Sequence, residues 1–377
     1  MEYPSRAMAP KLCKTSERTS TVLLLFCCLT LPLAAQTLPP ELASPKQIHD
    51  MLVQRVDVEH KADAIVVGVI SKRGREIISY GKFDRDDPSM PDGETIFEIG
   101  SVTKVFTALL LADMAVRGEV NLNDPVSKYL PPSVHVPTRN GKQITLLDLA
   151  THHSGLPRMP TNYSLDYSVE QMYDFLTHYT LTRDPGAKYE YSNFGAGLLG
   201  QVLAWRAGTD YETLLRTRVT GPLGMSNTAM ELTPEMKAKL IPGHGNGIKA
   251  SSSEIAALKG AGAIRSNVDD MLIFLAANMG LIQTPLQPAM KKMLSVRKEA
   301  SPGAKIALGW HIVNGMVCHN GGTYGYHAFV GFEPRRKVGV VVLSNSTDFT
   351  DDLGQRVLDY PVPAPVAVQV GPPGTVR

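Results

Sequence analysis

Cysteine is scarce in this chain: four in 377 residues, and three of them, Cys13, Cys27 and Cys28, fall within the first 28 positions. The rest of the chain keeps only Cys318, which excludes a disulfide scaffold and a cysteine-ligated metal site. Cys318 lies in an apolar, strand-like run and reads as a small buried hydrophobe rather than a nucleophile. An excess of one charge is lacking too. Lys+Arg number 38 against 36 Asp+Glu, for a net charge of +2, and no dense basic block occurs, so nothing points to nucleic acid. No Gly-rich phosphate loop or dinucleotide fingerprint is found, and His152, His153 and His244 have no metal-ligand spacing with carboxylates or cysteines. No cofactor and no metal are expected.

A bilayer-spanning apolar run is also missing. The nearest candidate, Thr21–Ala35, is too short and is broken by Pro32. Lys11, Lys14 and Arg18 precede it, and small residues Ala34-Ala35 stand before Gln36. This is the layout of a secretory signal. Residues 1–35 are expected to be removed, leaving a periplasmic or secreted protein with no membrane span and one cysteine; a retained anchor is the alternative.

At 377 residues the chain can bury a substantial core. A helix is expected over residues 45–61, then a hairpin from the β-rich runs 64–71 and 75–81 around Gly74. Val105, Phe106, Leu109, Leu110 and Met114 recur at helical spacing and Gly118 stops them, predicting a core helix over 102–117. Helices broken by Pro/Gly loops follow at 146–151, 169–179, 194–207 and 268–279. Strand-like runs return at 308–313, 316–319, 326–332 and 338–343, with a closing helix near 351–358. The expected class is α/β of the α+β kind: one antiparallel sheet built from both chain ends and flanked by helices, with a mostly helical domain inserted. The segments are 36–130 and 295–360 for the sheet domain, 131–294 for the insertion, and a Pro/Gly-rich tail, 361–377, expected to be disordered.

Three short motifs carry chemistry. In Phe97-Glu-Ile-Gly-Ser101-Val-Thr-Lys104, a hydroxyl and an amine three residues apart share one helix face. Unpaired N–H groups at the helix start favour developing negative charge, and a desolvated lysine can take a serine proton. In Tyr189-Glu-Tyr191-Ser-Asn193, a phenol and a carboxamide stand on a loop at a helix start, where a phenolate next to a cationic lysine can act as a general base and the amide can grip a substrate carbonyl and the lysine together. The bland reading of that pair is a buried tyrosine and a helix-capping asparagine. In His319-Asn-Gly321-Gly322, glycines on a strand allow close approach by a ligand, and the N–H groups of Gly322 and Ser101 can together make an oxyanion hole. Two look-alikes are set aside. His153-Ser-Gly155 follows a helix rather than a strand, and Glu119–Asn123 lies in the loop that closes the Ser101 helix.

S-x-x-K, then Y-x-N, then a basic residue-x-Gly on a late strand, in this order, resembles the penicillin-recognising serine hydrolases. The chain is similar to the class C β-lactamase group and its D-alanyl-D-alanine carboxypeptidase and endopeptidase relatives over roughly residues 45–350. Stretches 117–126, 144–151, 221–225 and 260–271 add to the likeness. The resemblance implies a β-lactamase/transpeptidase-like fold and an acyl-enzyme formed on Ser101. Lys104 with Tyr191 would then shuttle the proton, with the choice of base open, and Asn193, His319 and Gly321 would bind substrate. D-Ala-D-Ala-type peptides and β-lactams are the implied substrates. An esterase or D-amino-acid amidase, or a penicillin-binding sensor without turnover, are the alternatives. One departure stands out: His319 replaces the lysine of class C β-lactamases. An ordinary histidine titrates near pH ~6.5, so His319 is expected to become cationic near pH 5.5 and then to meet a substrate carboxylate more strongly.

Overall fold

The computed structural model describes residues 42–84, 86–164, 166–245, 248–249 and 257–358. The expected signal at 1–35 and the tail at 361–377 lie outside the described residues.

Helix α1 (Pro45–Val53) starts at a capping box between Ser44 and Gln47 and runs into a wider turn, Gln54–Val58. Strands β1 (Ala64–Ser71) and β2 (Gly74–Gly81) form the expected hairpin. A short strand, β3 (Ile96–Glu98), leads through a tight turn, Gly100–Val102, into α2 (Thr103–Val116). The helical middle contains α3 (Leu146–Ala150), α4 (Val169–His178) and α5 (Asn193–Ala207). Strand β4 (Arg265–Asn267) pairs with β3, and α6 (Val268–Asn278) and α7 (Gln287–Ser295) follow. The chain then lays down β5 (Lys298–Ser301), β6 (Ala304–Ile306), β7 (His311–Val313), β8 (Met316–Gly322), β9 (His327–Glu333) and β10 (Val338–Ser344). Helix α8 (Asp351–Val357) comes last among the described elements.

The main sheet has eight strands in the order β2-β1-β10-β9-β8-β7-β6-β5, and every neighbouring pair is antiparallel. Both chain ends therefore build one sheet, as expected. Strand β1 is a nearly continuous apolar run because helices cover both of its faces. Ile65, Val67 and Val69 meet Ile48 and Leu52 of α1 and Leu353 and Val357 of α8. Ala64 and Val66 turn the other way, into the cluster with Phe106, Leu109 and Leu110 of α2 and Leu272 and Leu275 of α6. Helices α6 and α7, from the segment expected as the insertion, pack on β1 and β10 and on α2 respectively. Helix α2 is buried on nearly every side from Thr103 to Met114, so desolvation of each large apolar side chain stabilises it by roughly 1.5–3 kcal/mol.

Two expectations need correction. The strand expected at 308–313 begins only at His311, because the preceding residues turn back with the Ala307 N–H donating to the Trp310 carbonyl at 2.7 Å. The turn sends the Trp310 ring into the core against Phe274 and Phe332. The β5–β6 hairpin was not expected; its Lys298-Glu-Ala-Ser301 strand is polar and lacks a buried alternating face.

Candidate active site

Strand β3 delivers the chain to Gly100, whose φ of +48° lies in the left-handed region that glycine tolerates. A Cβ there would sit 2.8 Å from the Gly322 carbonyl oxygen and 2.9 Å from its nitrogen. From the other side, a Cβ on Gly321 would come within 2.0 Å of the Ile99 oxygen and 2.8 Å of the Ser101 nitrogen. The turn before Ser101 and the end of β8 thus meet backbone against backbone. The amides of Ser101 and Gly322 belong to these two abutting segments.

Ser101 stands in the tight turn Gly100–Val102, one step before α2, and Lys104 lies in the first turn of α2. Their spacing brings Lys104 Nζ to 3.0 Å from Ser101 Oγ and lets it donate to the Ala261 carbonyl at 2.7 Å. Lys104 is only 3% exposed. Burial, and then the nearby Arg158 guanidinium, hold its amine well below the usual lysine range. Tyr191 lies beside it, the lysine nitrogen 4.8 Å from the ring centroid. Burial pushes the phenol up to about 12, opposed by a hydrogen bond with Ser101 and by Arg158. Both directions favour the uncharged forms, a free amine beside an intact phenol.

Asn193 opens α5, but the cap is Ser192, whose hydroxyl accepts from the Gly195 N–H at 2.8 Å. The capping role considered for Asn193 therefore falls away. Its amide meets the Met159 sulfur at 3.5 Å, a weak contact that leaves the oxygen available.

Period-two alternation along β8 decides what the sheet offers. Asn320 turns away to donate to Asp351 at 2.7 Å, while His319 and Gly321 face the other side. His319 is 2% exposed. Its Nδ1 lies 2.6 Å from the Asn320 carbonyl, which can only accept, so Nδ1 carries the proton. Nε2 is then a bare lone pair, buried with no hydrogen-bond partner among the described residues. Burial first, then His311 and Lys104, hold His319 well below the usual histidine range. That direction runs against the expectation that it becomes cationic near pH 5.5, because an imidazole this desolvated, beside an amine and a second imidazole, resists taking up a proton.

Four residues near Tyr191 were not singled out from the sequence as site residues. His152 lies 4.5 Å from the Tyr191 ring, accepts from the Ser192 N–H at 3.2 Å, and adopts a φ of +57° that is uncommon outside glycine. His311 lies 5.1 Å from the His319 ring, and its Nε2 meets the Tyr189 hydroxyl at 3.0 Å. Burial lowers His311 to about 4 and raises the Tyr189 phenol. The Arg158 guanidinium is 5.3 Å from the Tyr191 centroid. Only Tyr189 carried a signal, standing two residues before Tyr191. Of the look-alikes, Glu119 pairs with Arg218 at 3.0 Å, at the end of α2 remote from Ser101, while His153 bonds the Thr151 carbonyl at 2.7 Å and packs its ring against Tyr189. Cys318 is buried, which raises its thiol to about 12 and leaves it inert. Among the described residues no group of three or more His, Cys, Asp or Glu could hold a metal.

Residues 50–359 match the beta-lactamase family. The D-alanyl-D-alanine-carboxypeptidase/endopeptidase AmpH of Escherichia coli K12 is 29% identical over 335 residues, covering 82% of this chain and 86% of its own length. A beta-lactamase from the same organism is 26% identical, covering 80% and 90%. Among solved structures, a beta-lactamase/D-alanine carboxypeptidase from Yersinia pestis superposes with a TM-score of 0.73 at 25% identity, covering 83% of this chain and 98% of that one. One from Pseudomonas syringae gives 0.77 at 21%, covering 85% and 100%. With a hydroxyl and a buried amine at hydrogen-bond distance in a fold shared with these enzymes, the chain belongs to the beta-lactamase family and is a serine hydrolase of the class C β-lactamase/D-Ala-D-Ala carboxypeptidase group.

Proposed function

We propose that this protein is an exported enzyme that forms an acyl-enzyme on Ser101 and hydrolyses D-Ala-D-Ala-type peptide amides, β-lactams, or both. The observation that carries the reading is the buried Lys104 amine 3.0 Å from Ser101 Oγ, held by burial well below the usual lysine range, with Tyr191 alongside. Lys104 accepts the Ser101 proton as Oγ attacks the substrate carbonyl carbon. The amides of Ser101 and Gly322 stabilise the oxyanion, and Asn193 holds the substrate amide. As the tetrahedral adduct collapses, the C–N bond breaks and the proton passes through Lys104 and Tyr191 to the leaving nitrogen. Water then attacks the ester, gives a proton to the same relay, and Ser101 Oγ leaves and is reprotonated.

Burial favours Lys104 over Tyr191 as the first proton acceptor, because a protonated phenol has no lone pair of comparable basicity. The D-alanyl-D-alanine specificity in the name of the Escherichia coli relative supports peptides as substrates. Export rests on the basic-then-apolar layout of residues 1–35; no described helix is long and apolar enough to cross a membrane. A second reading, an esterase or D-amino-acid amidase, is favoured by one observation: the uncharged His319 gives strand β8 no fixed cation for a substrate carboxylate. Turnover of nitrocefin, a D-Ala-D-Ala peptide and a short-chain ester side by side separates the readings. Measurable peptide release with a covalent adduct on Ser101 is expected; ester cleavage alone would move the assignment to the second reading.

A further inference from the structure

With strand β8 uncharged, the cation at this site lies on the α5 side. Arg158 is exposed, and its carbonyl is pinned by the Asn193 and Phe194 N–H groups at 2.9 and 3.2 Å. The backbone is fixed at the start of α5 while the guanidinium stands 5.3 Å from the Tyr191 centroid. Its field reaches Lys104, Tyr189 and Tyr191, so it borders the reacting groups rather than a distant surface. The other basic side chains nearby are committed. Lys104 serves Ser101 and the Ala261 carbonyl, Arg183 pairs with Glu190, and Lys298 pairs with Asp148. Arg158 makes no ion pair among the described residues. His152, His311 and His319 are all held neutral by burial, so none competes for an anion.

We infer that Arg158 is a specificity residue of the Ser101 site and receives a carboxylate of the substrate. The inference rests on the acyl-enzyme reading and deepens it. A planar guanidinium offers paired N–H donors that match the two oxygens of a carboxylate, and a neighbouring aromatic face limits the orientations it can take. At an exposed rim, a charge-assisted contact of this kind is worth about 10- to 100-fold in kcat/KM. The carboxylate can belong to the acyl part or to the leaving group, and the two sources are separable.

Two matched substrate pairs test this. Mono-p-nitrophenyl glutarate against p-nitrophenyl valerate places the charge on the acyl side. Diacetyl-lysyl-D-alanyl-D-alanine against its C-terminal amide places it on the leaving group. Arg158→Ala should lower the anionic-to-neutral ratio of kcat/KM by about 10- to 100-fold in one pair, and the responding pair identifies the source. Arg158→Lys, which keeps the charge but loses the fork, should fall between, and Arg158→Glu should fall below Arg158→Ala. Ratios unchanged in both pairs, or anionic and neutral members lowered alike, would overturn the assignment of Arg158 while leaving the chemistry at Ser101 intact. Mass spectrometry of the parent enzyme with the neutral valerate ester reads the other question. Absence of an acyl adduct on Ser101 would remove the acyl-enzyme reading, and the Arg158 assignment with it.

Discussion

Two of the buried bases at this site, one on a helix and one on a strand, are used differently. Lys104 on α2 has both its serine and a carbonyl within hydrogen-bond distance. His319 on β8 spends its one proton on the neighbouring Asn320 carbonyl and leaves a bare nitrogen without a partner among the described residues. Desolvation drives both toward neutrality. For Lys104 the outcome is an amine that sheds its proton more readily and is aimed at a nucleophile. For His319 it is an acceptor suited to an N–H or O–H of the substrate and unsuited to a carboxylate. Burial alone therefore does not make a catalytic base; the geometry around the freed lone pair decides.

The comparison is broken most sharply on the helix side. Ser101→Ala should abolish turnover and covalent labelling with the fold retained, since removing one hydroxyl leaves the packing of α2 unchanged. Lys104→Ala and Tyr191→Phe should each cost about three orders of magnitude or more, and the double variant should be little worse than either single one. Additive losses would show that amine and phenol act independently. The next largest effect belongs to the contact between the two sides. A methyl at Gly321 would need the space of the Ile99 oxygen 2.0 Å away, so Gly321→Ala must push β8 off the Ser101 turn. Activity should fall by about two orders of magnitude, the cost of losing one oxyanion donor. Near-normal kcat in that variant would refute the role given to the Gly322 amide.

Much of the helix side was legible in the sequence because its geometry is local. Three residues of spacing on one helix face set the Ser101–Lys104 distance. The eight-stranded sheet was legible in outline, because strands buried on both faces read as apolar runs such as Ala64–Ile70. The strand side was legible only as a motif. That His319 would be held below its usual range depends on burial, on His311 one strand away and on Lys104 of α2, and spacing does not encode those contacts. His152 and Arg158 were missed for the same reason, since they reach Tyr191 from a loop more than thirty residues earlier in the chain. The β5–β6 hairpin escaped because its strands are polar and partly exposed.

Acid sharpens the contrast between the two bases. His319 and His152 are held well below their usual range, and His311 and His327 are lowered to about 4. A histidine depressed in the folded state contributes stability that is complete above about pH 6.5 and is lost as pH falls toward the folded value. Each unit of depression is worth about 1.4 kcal/mol, and Asp351, raised to about 6 by burial, offsets part of the loss. The denaturant midpoint should therefore fall between about pH 6.5 and 4.5, and His319→Gln should make the fall shallower. Over the same range the anionic-to-neutral kcat/KM ratio of the parent should stay flat, because burial holds His319 well below the usual histidine range. A parent as stable at pH 5 as at pH 7, or a ratio rising steadily on acidification, would show that His319 takes up a proton after all.

The smallest expected effect tests how the two sides are held in register. Tyr189 belongs to the loop that carries Tyr191, and its hydroxyl meets His311 Nε2 at 3.0 Å on β7, the strand next to β8. With His311 neutral and the phenol kept protonated by burial, a single hydrogen bond joins Nε2 and the hydroxyl. The ring of Tyr189 also sets its edge against His152 and His153, so the phenyl group packs whether or not the hydroxyl is present. Tyr189→Phe keeps that packing and removes one buried hydrogen bond, at a cost of about 1 kcal/mol, or several-fold in rate if it acts through the placement of Tyr191. Because Tyr189 touches neither Ser101 nor Lys104 in the structure, the loss should appear in kcat with KM nearly constant. His311→Ala should reproduce it, and the double variant should be no slower than the worse single one. A drop in thermal stability with kcat unchanged would mark the contact as structural only, a tie between the tyrosine loop and the sheet that does not place Tyr191.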